Sequence, residues 1–234
     1  MSKVRHMRLL ISLAIGLFVL CIPLFLLTSH ITWAINEVHL YEYGFDKYGV
    51  SQETGISDEQ LDDITTAVIN YINNGEQAEA LDIFDENEMA HLQDVRELIL
   101  INYIVAGCTL GYMVVFVTGG FVWLRKRFVP ILTKLALAGS ILTLALLIAL
   151  GTSAIVDFYG LFSAFHRLFF AGDSGVLSGY MPRIFTEGFF ADTTLFITGA
   201  ILLESLILGG ISGFFVLRTR RNSGLAAAGG AGPG

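Results

Sequence analysis

The sequence predicts an all-α integral membrane protein: four transmembrane helices, an extracytoplasmic helical loop between helices 1 and 2, and an interfacial aromatic helix between helices 3 and 4. Three observations carry this. Hydrophobic residues make up 54% of the chain and charged residues 15%, where a soluble domain carries about 25% charged; mean hydropathy is +0.66. Four apolar stretches, near Leu9–Thr28, Leu98–Leu124, Ile131–Val156 and Thr194–Leu217, each reach the roughly 20 residues of helix that cross a bilayer. The charges also segregate between the two ends of these stretches.

Lys3, Arg5 and Arg8 precede the first stretch, Arg125, Lys126, Arg127 and Lys134 surround the turn between the second and third, and Arg218, Arg220 and Arg221 follow the fourth. Cationic flanks stay in the cytoplasm, so both termini are expected inside. Every acid except Glu204 falls on the opposite side, in outer loops at about 29–97 and 157–193. The expected organisation is one polytopic domain over 1–217 and a disordered tail over 218–234. The net charge of −7 belongs to an acidic outer face and argues against nucleic acid as a partner.

The first span is read as a retained anchor. No small-x-small cleavage site follows it, and Cys21 lacks the small residue that a lipobox places before its cysteine. Cys21 and Cys108 both fall within spans, which leaves no disulfide framework and no thiolate metal site.

In the first outer loop, Val38–Tyr48 is aromatic and mixed, consistent with a strand or with packing on the membrane surface. Ser57-Asp58-Glu59-Gln60 is a capping box, and Leu61, Ile64, Val68 and Ile72 then repeat at helical spacing until Asn73-Asn74-Gly75 ends the helix. A shorter helical pattern covers Glu76 to Phe84. Asp85, with Glu88 three residues on, starts the next helix. That helix is expected to run unbroken into the second span as far as Leu124, about 60 Å at 1.5 Å per residue. Glu88, His91, Asp94, Val95, Leu98 and Asn102 form one stripe along it.

In the second outer loop, Phe158, Tyr159, Phe162, Phe165, His166, Phe169 and Phe170 recur at three- and four-residue spacing. Aromatic residues favour the headgroup level, so an interfacial helix is expected, broken by Gly172-Asp173-Ser174-Gly175. In the spans, Gly107-x-x-x-Gly111 and Gly209-x-x-x-Gly213 fit close helix packing. Glu204 lies mid-span, where an ionisable group is costly and usually faces the bundle interior.

His91 and Asp94, three apart on a helix, share a face, so the carboxylate is placed to orient the imidazole. A solvated helix end has the same appearance, and His166 among aromatics is also what a packed interfacial residue looks like. What favours chemistry is that both histidines are expected on the outer side at one depth. No GxSxG elbow, GxxxxGK[ST] loop, SxxK or HExxH motif is present. A covalent serine mechanism, a nucleotide and a metal are therefore not expected, and no cofactor is required. Two histidines and a carboxylate fit proton transfer.

The order of Tyr41–Tyr48, Thr54-Gly55-Ile56-Ser57, His91-Leu92-Gln93-Asp94-Val95-Arg96, Phe165-His166-Arg167-Leu168-Phe169-Phe170, Met181-Pro182 and Phe189-Phe190-Ala191-Asp192 resembles the lipoprotein intramolecular transacylase family. These are four-span bacterial membrane proteins formerly catalogued as a domain of unknown function. The resemblance covers about Leu9 to Leu217. It departs at Gly172–Tyr180, which is small and glycine-rich where a tryptophan-containing stretch is usual.

The resemblance implies an acyltransferase of the bacterial plasma membrane. It would move the sn-2 acyl chain of a diacylglyceryl-modified cysteine onto that cysteine's own α-amine, giving a lyso-form lipoprotein. Diacylglyceryl-modified lipoproteins and membrane lipid would then be its partners. His91 and His166 match the family's two motif histidines, with Asp94 beside the first; Arg96, Tyr41 and Arg167 are candidates for holding substrate or stabilising an oxyanion. A rival reading is a non-catalytic receptor or assembly partner that docks an envelope protein through the 38–84 loop. A third is acyl transfer or hydrolysis on phospholipid. The spacing of His91 and His166 separates the first two: beyond about 10 Å no single water or substrate group bridges them.

Overall fold

The computed structural model describes residues 2–170 and 179–229; the expected helix break at Gly172–Gly175 lies outside the described residues. No strand occurs among them. The helices are α1 (Ser2–Asn36), α2 (Val38–Tyr48), α3 (Val50–Thr54), α4 (Asp58–Asn74), α5 (Glu86–Leu124), α6 (Val129–Val156), α7 (Phe158–Phe169), α8 (Met181–Ile184) and α9 (Glu187–Gly229). Stretches long and apolar enough to cross a membrane cover Arg5–Asn36, Glu86–Ser153 and Glu187–Thr219. The middle one is interrupted by a 3-10 turn at Arg125–Phe128, where α5 gives way to α6.

The chain divides into two compact units. One comprises Met1–Leu27, Ala106–Ile148 and Ala200–Gly234; the other comprises Thr28–Val105 and Ala149–Gly199. In the first, Phe18, Ile22 and Leu135 form a core with Phe116 and Tyr112 around it, and the Tyr112 hydroxyl donates to the Ala14 carbonyl at 2.8 Å. Only one of the two glycine pairs packs as expected. Gly209 lies against Ser140 of α6 and Gly213 against Leu137, whereas among the described residues no atom beyond their own stretch of helix comes within 4 Å of a Cβ built on Gly107 or Gly111. Glu204 is exposed on α9, beside the fully buried Ser205.

The second unit carries the larger core, in which Leu61, Ile64, Val68 and Ile72 of α4 are all buried with Tyr41, Phe45, Leu92, Met181, Ile184 and Phe189. The α4 boundaries follow the sequence signals. Ser57 and Gln60 form a reciprocal capping box, and Gly75 ends the helix in the left-handed conformation that favours glycine. Val38–Tyr48 is a helix, not a strand. Its buried Tyr41, Gly44 and Phe45 lie on one face, a spacing that a strand would split between two faces. Glu76 to Phe84 is reduced to a 3-10 turn at Glu79–Ile83.

Two contacts hold the start of α9. Gly44 gives Phe189 its place, since a Cβ there would meet the Phe189 ring at 2.5 Å. Asp192 accepts from Lys47 Nζ at 2.6 Å and from the Tyr48 hydroxyl at 2.8 Å. Among the described residues α9 continues past Leu217 to Gly229. Extending an existing helix through Leu225-Ala226-Ala227-Ala228 requires no new nucleation.

Candidate active site

The stripe on α5 divides its residues among several neighbours. The first turn is capped reciprocally: Asp85 Oδ1 accepts the Glu88 N–H at 2.9 Å, and Glu88 Oε2 accepts the Asp85 N–H at 3.1 Å. Asn102 Nδ2, farther along, donates to the Thr28 carbonyl and the Thr32 hydroxyl of α1. Between them His91 is buried, at 6% exposure.

What buries His91 is α7. This helix starts on Asp157, whose carboxylate accepts the Gly160 N–H, and its aromatic spacing gathers the rings on one side. The His91 and His166 rings lie 5.8 Å apart between centroids, 15° from parallel. Phe170 packs on both, at 4.7 Å from His91 and 5.1 Å from His166. Phe162 lies 4.1 Å from His166 on the same helix and contacts Phe190 of α9.

The two imidazoles are held differently. His166 Nδ1 is 2.9 Å from the Phe162 carbonyl. A carbonyl only accepts, so Nδ1 carries the hydrogen and Nε2 is left to exchange protons. His91 Nδ1 is buried without a hydrogen-bond partner. Burial pushes the His91 pKa below the ordinary histidine range, and His166 pushes the same way; the Asp94 carboxylate opposes both.

Asp94 does not make the expected hydrogen bond. The His91 ring turns away from its own helix toward the rings of α7, and Asp94 acts on it through charge alone. Arg96 is likewise committed elsewhere. Its Nε donates to the Tyr71 carbonyl at 3.1 Å and its guanidinium packs on Gly75, so it closes the end of α4. Five positions along a helix is about 140° of rotation, which takes Arg96 off the His91 face.

Tyr41 is a core residue. Its hydroxyl donates to the Ile35 carbonyl at 3.0 Å, its ring packs on Phe185 and Phe189, and burial, with Tyr103 adding to it, raises its pKa. Arg167 is exposed next to His166 and makes no hydrogen bond or ion pair among the described residues. The site thus unites His91 and His166, keeps Asp94 within electrostatic reach, and leaves Arg96 and Tyr41 in structural positions.

Sequence reasoning did not single out Phe170 as the ring shared by both histidines, nor Glu88 as buried. The spacing signalled Phe170 as aromatic and Glu88 as a cap, but which ring meets which is a tertiary matter. No group of three or more histidine, cysteine or acidic side chains among the described residues is arranged to hold a metal ion. Chemically, the arrangement offers two imidazoles able to share one proton beside an apolar wall.

The family model for the lipoprotein intramolecular transacylase Lit matches residues 16–190. No curated protein sequence matches the chain. Among solved structures, the chain is similar to the membrane-integral lipoprotein intramolecular transacylase Lit of Bacillus cereus, with a TM-score of 0.77 and 21% identity over 90% of this chain and 97% of that one. Two variants of the same Bacillus cereus protein, with a histidine replaced by arginine or by alanine, align with a TM-score of 0.70 and 22% identity over 94% of this chain. They are covered over 97% and 98% of their own lengths. At this identity the structural likeness establishes the fold.

Proposed function

The chain belongs to the lipoprotein intramolecular transacylase family, and from that premise we propose how its residues carry out the transfer and on which group. It is a bacterial integral membrane enzyme of the acyltransferase class. The substrate is a diacylglyceryl-modified cysteine at a lipoprotein N-terminus, and the chain transferred is the sn-2 acyl group. The approach of His91 and His166 to 5.8 Å carries this reading. The receptor alternative called for the two to lie well apart.

The α-amine of the cysteine, with a pKa of about 7.7–8, loses its ammonium proton to solvent before it attacks. Its nitrogen adds to the sn-2 ester carbonyl, and the tetrahedral intermediate collapses by breaking the bond to the glycerol oxygen. An amide forms, an N–H proton leaves, and the sn-2 alkoxide takes one up. His91 is the base, because burial and the neighbouring imidazole keep it neutral. His166 is the acid: with Nδ1–H held on the Phe162 carbonyl, the second ring proton that it donates to the leaving oxygen is carried on Nε2, the nitrogen left free. One proton passed from His91 to His166 resets the pair. Both reacting groups lie on one molecule, so the protein chiefly orients them, and ester-to-amide exchange runs downhill.

The charge distribution supports four crossings, both termini in the cytoplasm and the histidines at the outer leaflet. The break at Arg125–Phe128 suits a cytoplasmic turn between the second and third crossings. The test is mass spectrometry of a synthetic diacylglyceryl-cysteine peptide incubated with the purified protein in detergent. An N-acylated lyso product of unchanged total mass is expected. Release of free fatty acid would mean hydrolysis, and unaltered peptide would overturn the assignment.

A further inference from the structure

Glu88 is the one carboxylate among the buried residues of the described chain, at 1% exposure. A helix cap does not demand burial, and only Oε2 serves the cap. Its Oε1 accepts the Met181 backbone N–H, from a distant segment, at 2.7 Å. The neighbouring backbone comes so close that a Cβ on Gly179 would lie 2.5 Å from both carboxylate oxygens. A side chain at this position would therefore push the carboxylate off its two backbone partners.

This contact lies one helical turn before His91, on the same face of α5. Phe170, on the chain leaving α7, packs against His91. Gly179 and Met181, on the chain entering α8, are held by Glu88. The exit from α7 and the entry to α8 are thus both docked on α5, one turn apart.

We propose that Glu88 is a positioning residue for the histidine pair, pinning Gly179–Met181 to α5 so that Phe170 and His166 keep their place over His91. The proposal rests on the transacylase reading. Glu88 acts through backbone, without touching the substrate. A carboxylate suits the task because its two oxygens accept from two backbone segments at once and it donates to neither.

The tests are kcat for lyso-product formation and the His91 titration, followed by NMR of histidine-labelled enzyme in detergent. Glu88→Ala is expected to lower kcat about tenfold or more, since a 1 Å misplacement costs about 10²-fold. Glu88→Gln keeps an amide oxygen for the Met181 N–H but turns its NH2 toward the Asp85 N–H, so the cap weakens and the melting temperature falls, while kcat is expected to drop only about threefold, less than in Glu88→Ala. Gly179→Ala is expected to lower kcat about tenfold beside Glu88 and to add nothing in the Glu88→Ala background, a non-additivity diagnostic of contact.

The charged and titratable groups facing His91 are Asp94 on α5 and His166 on α7, and none of these substitutions alters them. In Glu88→Ala the His91 titration should therefore move up as water reaches the ring. Wild-type kcat in folded Glu88→Ala, additive effects, or a lowered kcat with an unmoved titration would each overturn the proposal. If Glu88→Ala does not fold, the other two single variants decide: a silent Gly179→Ala, or a Glu88→Gln as impaired as Gly179→Ala, overturns it. A wild-type protein that makes no lyso product defeats the transacylase reading instead, and the titration still tests Glu88.

Discussion

His91 and His166 stack within 15° of parallel at 5.8 Å, one on the first turns of a long helix and the other on a short aromatic one. Neither ring is hydrogen-bonded to a carboxylate among the described residues. His166 is oriented by a backbone carbonyl of its own helix, and His91 by the rings around it. The pair is built by apolar packing, with charge in a secondary part.

Replacing either histidine should remove proton transfer and spare the fold. His91→Ala and His166→Ala are each expected to lower lyso-product formation by about 10²–10⁴-fold, the usual worth of a general acid or base. Circular dichroism and the melting temperature should stay close to wild type. Full activity in either folded variant would rule out the proposed acid–base pair.

Asp94 tunes His91 without holding it, so Asp94→Asn should cost less than about tenfold in kcat, well below the loss for either histidine. The sign of its electrostatic effect is definite: losing the carboxylate lowers the His91 pKa further, whereas His166→Ala raises it. NMR titration of His91 reads both. An Asp94→Asn variant as inactive as His91→Ala would show that the carboxylate orients the ring after all.

Phe170 keeps water from His91, and burial is the largest cause of the depressed pKa. Phe170→Ala should bring the His91 titration up toward the ordinary histidine value. In the proposed mechanism the protonated fraction of His91 at mildly acidic pH then grows, and activity below pH 7 falls more steeply than in wild type. A pH–rate profile of kcat checks this, and an unchanged acid side would contradict it.

Arg96 is expected to matter for stability more than for chemistry. Losing its bond to the Tyr71 carbonyl should cost about 1–3 kcal/mol. Gly75→Ala, forced to keep φ at +75°, should cost about 1–2 kcal/mol. Both should lower the melting temperature, with the activity of the folded enzyme within about threefold of wild type. Loss of activity without loss of stability in Arg96→Ala would return Arg96 to the oxyanion role.

Much of this is legible in the sequence alone, where the determinants are local. The capping box at Ser57 and the stop at Gly75 rest on groups within one helical turn, and both stand as read. The reciprocal cap of Asp85 and Glu88 and the unbroken helix from Glu86 to Leu124 do so as well. At Val38–Tyr48 the mixed composition hides the helical spacing of Tyr41, Gly44 and Phe45, so the strand alternative is excluded only by the structure. Gly107 and Gly111 mislead for the opposite reason: a small-residue motif permits close approach and does not supply a neighbour.

By itself the sequence determined an all-helical membrane protein, its family, and the two histidines worth watching, because hydropathy, charge and motif order are written along the chain. Only the tertiary structure decided which groups meet. Asp94 and His91 share a helix face yet do not bond, since the ring turns to an apolar wall brought by α7. Arg96 and Tyr41 lie in or beside the family motifs but are drawn off to a helix end and a core. Glu88, read as a cap, became the buried tie to Gly179 and Met181. Helical periodicity places a side chain on a face; what that face meets depends on how distant segments pack, and no local pattern encodes that.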